Sequence, residues 1–240
     1  MKKIILVLLL FLTGCTTKPI SETVIISSSP APVLAQFGNY RYAWVKLDNL
    51  VNLKLLPNHD TQASSEDLAK TNHCQILVNG SFYDKQNQPL GWLVSQGETL
   101  SEPITSSLFN GYFYLQSGRP VISAVLPKTE VALGLQSGPL LILDSQPLLL
   151  KISNDQPRRR VIVALNNQKE LIFLVLTGTD SLYSGPLLAD TPKLVAALGQ
   201  AIGQNLVAAL NLDGGSASAF HTGKIHLNEY AYIGSFFCYN

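Results

Sequence analysis

The sequence predicts an α+β fold built on a curved, mostly antiparallel or mixed β-sheet with a few packed helices. Three observations carry this. Short runs rich in β-branched and aromatic residues recur between turn residues, as in antiparallel hairpins. Several runs are apolar at both alternating positions, so the sheet should be covered on both faces. Two segments switch from that pattern to helical spacing.

The 240-residue chain opens MKKIILVLLLFLTGC. Lys2 and Lys3 form a basic start. Ile4 to Leu12 is apolar but short, since a lone spanning helix takes about 20 residues. Leu12-Thr13-Gly14-Cys15 resembles a bacterial lipobox. It predicts a leader over 1–14 and lipidation of Cys15. By the lipobox rule, Thr16 after the cysteine points to the outer membrane, facing the periplasm. Residues 15–36 are rich in Ser, Thr and Pro and predict a lipidated, flexible tether. TVII within it is a candidate edge strand. The folded domain is expected over 37–240, with YRYAWVKL as its first strong strand.

Four pairs of runs then read as hairpins. QILV and SFYD flank Asn79-Gly80, and GYFYLQ and PVISAV flank Ser117-Gly118. GPLLIL and PLLLK flank Asp144-Ser145-Gln146, and RVIVALN and ELIFLVL flank Asn167-Gln168-Lys169. SSEDLAK predicts a helix capped by Ser64 or Ser65, with acids in its first turn. Thr191-Pro192 predicts a second, with Thr191 as cap and Pro192 at the first helical position. Leu194, Val195, Leu198, Ala201 and Ile202 continue it at helical spacing. NLVAALNLD then reads as a buried strand ending at Asp213.

The charges balance, 17 basic against 16 acidic residues. Loss of Lys2 and Lys3 with the leader leaves a slight negative excess. That argues against nucleic acid as a partner. Cys74 and Cys238 remain for the folded part. They form either one crosslink or two separate buried thiols. A crosslink over so long a loop is worth about 4–5 kcal/mol in chain-entropy terms. No cysteine or histidine spacing matches a metal site, so no cofactor is predicted, and a divalent ion held by carboxylates stays open. His59, His73, His221 and His226 read as loop or surface residues, with His221 near enough to the Gly-rich stretch to reach a cleft there. Trp44 and Trp92 read as core or cleft wall.

Chemistry concentrates in NLDGGSASAF, residues 211–220. An apolar strand delivers Asp213 to a turn at Gly214-Gly215, which can adopt positive φ. Successive N–H groups in such a turn can form an anion-binding nest beside the Ser216 and Ser218 hydroxyls. ILVNGSFYD, residues 76–84, has two readings. Alone, Asn79-Gly80 is a two-residue hairpin turn. Paired with the Gly-rich stretch, Asn79, Gly80 and Asp84 are one wall of a site.

Four stretches together resemble the phosphodiester glycosidase family. NGSFYD is similar to its N-G-G-F-F-type motif, and LQSGPLLIL to its Q-S-G-P-type strand. Arg160 falls where the family has a strand-opening Arg, and NLDGGSAS is similar to its N-L-D-G-G-G-S-type motif. QPLGW, residues 88–92, also looks like a Pro-x-Gly element of some bacterial members. Ser81, Ser216 and Ala217 depart from the motifs. LTGTDSLYSGPLL lacks the Arg of a D-G-R segment.

The resemblance implies a phosphodiester-glycosidase-like fold and a lipid-anchored bacterial envelope hydrolase. Such an enzyme cleaves a sugar-phosphodiester or related glycosidic bond. Asp213 is implied as the first catalytic carboxylate and Asp84 as the second. Asn79, Gly80, Gln136, Arg160, Gly214, Gly215, Ser216 and Ser218 would bind the substrate. Arg158 and Arg159 read as a solvated start to the strand. The expected partners are a phosphorylated sugar or glycan and, through the lipid, a membrane. The expected state is a monomer. The alternative function is a non-catalytic lipoprotein that binds anionic or phosphorylated glycans.

Overall fold

The computed structural model describes residues 34–240. The leader, Cys15, the TVII segment and the rest of the tether up to residue 33 lie outside them.

The strands form three sheets in which every pairing is antiparallel. In the first sheet the spatial order is β1 (Ala35–Phe37), β2 (Tyr40–Leu47), β13 (Leu171–Gly178), β12 (Arg160–Asn166), β14 (Leu206–Asn211), β10 (Leu140–Leu143) and β11 (Gln146–Pro147). The second runs β16 (His226–Leu227), β15 (Phe220–His221), β4 (Ile76–Asn79), β17 (Ser235–Tyr239) and β3 (Leu53–Pro57). The third runs β6 (Glu98–Ser101), β5 (Leu93–Ser95), β9 (Gly134–Ser137), β7 (Gly111–Gln116) and β8 (Arg119–Ser123). The sheet therefore starts at Ala35, inside the segment read as tether.

Among the described residues the α-helices are α1 (Ser65–Thr71) and α2 (Thr191–Ala201), of 7 and 11 residues. The protein is mostly β rather than α+β. The reason is that sheets, not helices, cover the central face. Val161, Val163 and Leu165 of β12 and Phe173 of β13 pack against Leu55, Val78, Phe113, Leu135 and Phe237 from the other two sheets. The intervening residues Ile162 and Ala164 face the opposite way, onto Val195 and Leu198 of α2. All seven residues of β12 are buried, as expected of a strand covered on both sides. Each fully buried aliphatic side chain contributes roughly 1.5–3 kcal/mol.

Three of the four hairpins form, β7–β8, β10–β11 and β12–β13. The fourth does not. β4 pairs with β15 and β17, and SFYD contributes only an isolated bridge between Tyr83 and Pro89. The local Asn-Gly signal yields to long-range pairing with strands near the C-terminus. Ser64 caps α1, its side chain accepting from the Asp67 N–H at 3.1 Å. In α2 Thr191 is inside the helix rather than its cap. Asp190 occupies the cap position, and Thr191 Oγ1 donates back to the Leu187 carbonyl at 2.8 Å.

Cys74 and Cys238 are joined in a disulfide across 164 residues. It ties the approach to β4 to the last strand.

Candidate active site

β14 ends at Asn211, and the chain keeps one more sheet contact through the Leu212 N–H to Val161 carbonyl bond at 2.9 Å. Asp213 then crosses to the second sheet, its N–H donating to the Gly80 carbonyl at 3.1 Å. Gly215 takes φ +66° and opens a tight turn over Gly215–Ala217. A side chain there would be strained. The Asp213 carboxylate accepts one bond, from the Gly214 N–H at 2.8 Å. Burial pushes its pKa up to about 8, and the Gly214 bond pulls back only in part.

Asn79 closes β4 and holds both ends of this loop. Its Nδ2 donates to the Asp213 carbonyl at 2.7 Å, and its Oδ1 accepts from the Ala219 N–H at 2.9 Å. Asn79 and Asp213 therefore converge, although through the Asp213 backbone. Gly80 is packed too tightly for a side chain, since a Cβ would stand 2.5 Å from Ser235 Oγ.

The arginines divide between the two faces of β12. Arg160 shares the α2 face with Ile162. It donates to the Pro186 and Gln156 carbonyls at 3.1 and 2.7 Å and pairs with Asp155 at 3.4 Å. It does not enter the site, contrary to expectation, because strand alternation turns it away. Arg159 takes its place. Expected to be solvated, it is 1% exposed. Its Nε donates to Ser218 Oγ and its Nη2 to the Asn228 carbonyl, both at 2.7 Å. Its carbonyl accepts the Gly215 N–H at 2.8 Å. Burial lowers it to about 10, so it stays charged at neutral pH. Among the described residues no carboxylate lies within ion-pair distance of it. Arg158 is exposed as expected, and its methylene chain lies beside Gly215, 3.4 Å from where a side chain there would begin.

The phosphodiester glycosidase family profile matches residues 72–235. The chain belongs to the phosphodiester glycosidase family. Among solved structures it is similar to the zebrafish N-acetylglucosamine-1-phosphodiester alpha-N-acetylglucosaminidase catalytic domain, auto-inhibited by its pro-peptide. That match has a TM-score of 0.62 and 15% identity over 88% of this chain and 86% of that one. A hypothetical protein from Synechocystis matches with a TM-score of 0.63 and 15% identity, over 86% of this chain and 61% of that one. A putative exported protein from Burkholderia pseudomallei K96243 matches at 0.57 and 11%, over 83% and 73%. At these identities the likeness is one of fold. No curated protein sequence matches the chain.

Against the phosphodiester glycosidase motifs, the departures have local partners. Ser81, in place of the second Gly, is buried with its Oγ 2.8 Å from Ser235 Oγ, and its N–H donates to the same oxygen at 2.9 Å. Ser218 donates to the Gly215 carbonyl at 2.6 Å while accepting from Arg159, so its hydroxyl braces the loop. Ser216 is exposed, and its carbonyl accepts the Tyr230 and Ala231 N–H groups at 2.7 and 2.8 Å.

Two further expectations change. The N–H groups of Gly214 and Gly215 are spent on Asp213 and on the Arg159 carbonyl, so they form no open nest. Gln136 is 1% exposed and saturated. Its Oε1 accepts from the Trp92 and Ile104 N–H groups at 3.2 and 3.0 Å, and its Nε2 donates to the Ile104 and Phe109 carbonyls at 2.7 Å. It clamps a loop and has no donor left for a sugar.

Asp84 uses Oδ1 to accept the Gln86 and Gln88 N–H groups at 2.8 and 2.9 Å, organising its own turn. Its charge meets that of Asp213 at Tyr232, whose hydroxyl is held up by burial first and by both carboxylates after it. Tyr232 stacks on Tyr83 with ring centroids 4.4 Å apart, and the Tyr83 hydroxyl donates to the Tyr232 carbonyl at 3.0 Å. Burial, then the Asp213 charge, push Tyr83 up to about 12. Tyr83, Tyr232 and Arg159 are candidate site residues around Asp213 that the sequence did not single out. Alternation from the buried β12 offered a signal for Arg159. For the tyrosines there was none beyond the motif's aromatic pair.

The histidines are not all peripheral. His59 is 8% exposed beside Tyr83 and Gly234; among the described residues its ring nitrogens make no well-aligned hydrogen bond, although the Asn87 backbone acts on the ring. Burial lowers its pKa and keeps it neutral. His221 is buried with Nε2 3.0 Å from Ser65 Oγ. Trp92 is core, packed against Tyr112 and Tyr114. Among the described residues no group of three or more His, Cys, Asp or Glu side chains is arranged to hold a metal ion.

Proposed function

We propose that this protein is a lipid-anchored envelope hydrolase that cleaves the bond between a sugar's anomeric carbon and a phosphodiester. The carrying observation is Arg159, a guanidinium buried beneath the Asp213 loop that, among the described residues, has no carboxylate within ion-pair distance and feels only the more distant charge of Glu229. A buried charge left unpaired by the protein is costly, and an anionic ligand offsets that cost. The exposed Arg158 beside Gly215 supplies a second positive charge where a phosphate would sit.

The chemistry follows from Asp213. With a pKa of about 8 it is largely protonated at neutral pH. It then donates its proton to the bridging oxygen as the carbon–oxygen bond breaks. Water adds to the anomeric carbon and releases a proton to solvent, from which Asp213 regains its own, giving free sugar and a phosphomonoester. The anomeric carbon becomes oxocarbenium-like on the way, which a nearby carboxylate such as Asp84 stabilises. Arg158 and Arg159 hold the phosphate charge as it grows. Asn79 positions the loop through the Asp213 carbonyl.

The test is release of sugar from a panel of sugar-1-phosphodiesters, including the methyl phosphodiester of N-acetylglucosamine 1-phosphate, by the full chain and by Asp213→Asn. Release that disappears in Asp213→Asn, with the variant still folded, supports the reading. No release by the unaltered chain, or release that survives the substitution, ends it.

The saturated Gln136 and the spent Gly214 and Gly215 N–H groups favour a second reading, a glycan-binding lipoprotein without turnover. Binding of the same panel by calorimetry with no product by mass spectrometry distinguishes it. The envelope location rests on residues 1–15, and a mass shift on Cys15 by lipid checks it.

A further inference from the structure

Most exposed large hydrophobics here are isolated aliphatics. Among the described residues two are aromatic, Tyr183 at 48% and Tyr230 at 83% exposure, and these two are neighbours. Their ring centroids are 6.1 Å apart in an edge-to-face arrangement. An exposed aromatic pair of this kind marks a contact surface.

Both residues are tied to the Asp213 loop, Tyr230 directly through its backbone and Tyr183 by way of Arg159. The Tyr230 N–H donates to the Ser216 carbonyl at 2.7 Å. The Tyr183 carbonyl accepts the Arg159 N–H at 2.9 Å, and the Arg159 guanidinium lies 5.1 Å from the Tyr183 ring centroid. Buried Arg159 thus packs against Tyr183 from within, and a backbone hydrogen bond across 14 residues to Ser216 stations Tyr230. Exposed Ser216 lies on the Asp213 loop, and exposed Arg158, just before β12, packs its methylene chain beside Gly215 of that loop. Rigid tyrosines lose little entropy on contact and offer both a ring face and a hydroxyl. A saccharide ring matches this, with an apolar C–H face for the aromatic and hydroxyl edges for Ser216 and Arg158.

We propose that Tyr183 and Tyr230 form an outer subsite at the Asp213 loop that holds a saccharide ring by stacking. The inference rests on the reading of that loop as a sugar-phosphodiester site. It adds that the ligand carries at least one more ring than the sugar being released, so the protein acts on a glycan rather than on a free sugar phosphate.

The test separates the two claims. Binding is measured in the full chain carrying Asp213→Asn, so hydrolysis does not consume the probe. The probes are tetramers of β-1,4-linked N-acetylglucosamine, of α-1,4-linked glucose and of β-1,4-linked mannose, read by saturation-transfer NMR and calorimetry. Binding of at least one tetramer is expected. Adding Tyr230→Ala or Tyr183→Ala should weaken it about tenfold or more, as loss of one stacked ring does. Tyr230→Trp should restore it. Equal binding with and without the two tyrosines, or no binding of any tetramer, overturns the subsite. So does a dimer in sedimentation that Tyr230→Ala dissolves, which would make the pair a contact between copies. The release assay above decides the hydrolase reading independently.

Discussion

Asn79 Nδ2 donates to the backbone carbonyl of Asp213, 134 residues away in sequence, at 2.7 Å. The same side chain accepts from Ala219, so one amide fixes both ends of the loop that bears the carboxylate. Asn79→Ala would leave two buried groups without partners. At about 1–3 kcal/mol for each, it should destabilise the protein measurably in urea unfolding and abolish sugar release. Asn79→Asp keeps the acceptor but sets a buried carboxylate against the Asp213 carbonyl, so it too should destabilise the protein, more at neutral pH than in acid, and activity should fall.

Asp213 makes stability depend on pH. Its folded pKa, about 8, lies above the ordinary 3.8. The folded state therefore holds this proton more tightly than the unfolded chain. The stability tied to the proton is full below about pH 4, declines as pH rises and is gone above about pH 8. Asp213→Asn removes the titration. Thermal melts should show the variant close to the parent near pH 4. Near pH 9 it should be more stable by on the order of a few kcal/mol. A gap that widens toward acid instead would contradict the raised pKa.

Arg159 and Arg160 should separate by assay. Arg159→Lys loses the Nε and Nη2 geometry that reaches Ser218 and Asn228. Both bonds are internal, worth about 1.5–3 kcal/mol each, so the variant should melt earlier, and the displaced charge should also weaken sugar-phosphate binding. Arg160→Gln breaks the tie to Asp155, which also accepts the Leu188 and Ala189 N–H groups. It should lower the melting temperature and leave affinity within about twofold.

The Cys74–Cys238 crosslink spans most of the domain. Replacing both by Ser should cost about 2–5 kcal/mol in denaturant unfolding. Reductant should shift the parent the same way and leave the double variant unmoved.

Much of the fold was legible because its signals are local. Three hairpin turns, the Ser64 cap and the two-faced apolar pattern of β12 each need only neighbouring residues. The misreadings share a different cause. Asn79-Gly80 looked like a turn because its real partners, Asp213, Ala219 and Ser235, lie far along the chain. Arg160 was preferred to Arg159 because one residue of strand alternation decides which face each takes, and the motif match fixed position only roughly. Gln136 was read as a ligand, although a loop at 104–109 consumes its amide. The Gly214-Gly215 turn was recognised, but not where its N–H groups are spent. The cluster of exposed aromatics is equally invisible to periodicity, since Tyr183 and Tyr230 sit in loops.

Ser81 and Ser235 satisfy each other through hydroxyls 2.8 Å apart, and Ser235 also takes the Ser81 N–H. Neither position can drift alone without stranding a polar atom in a dry place. The two sites should therefore change together among close relatives, one mutation opening the way for the other. The dependence is lopsided: Ser81→Gly keeps the N–H bond to Ser235, whereas Ser235→Ala strands both the Ser81 hydroxyl and its N–H.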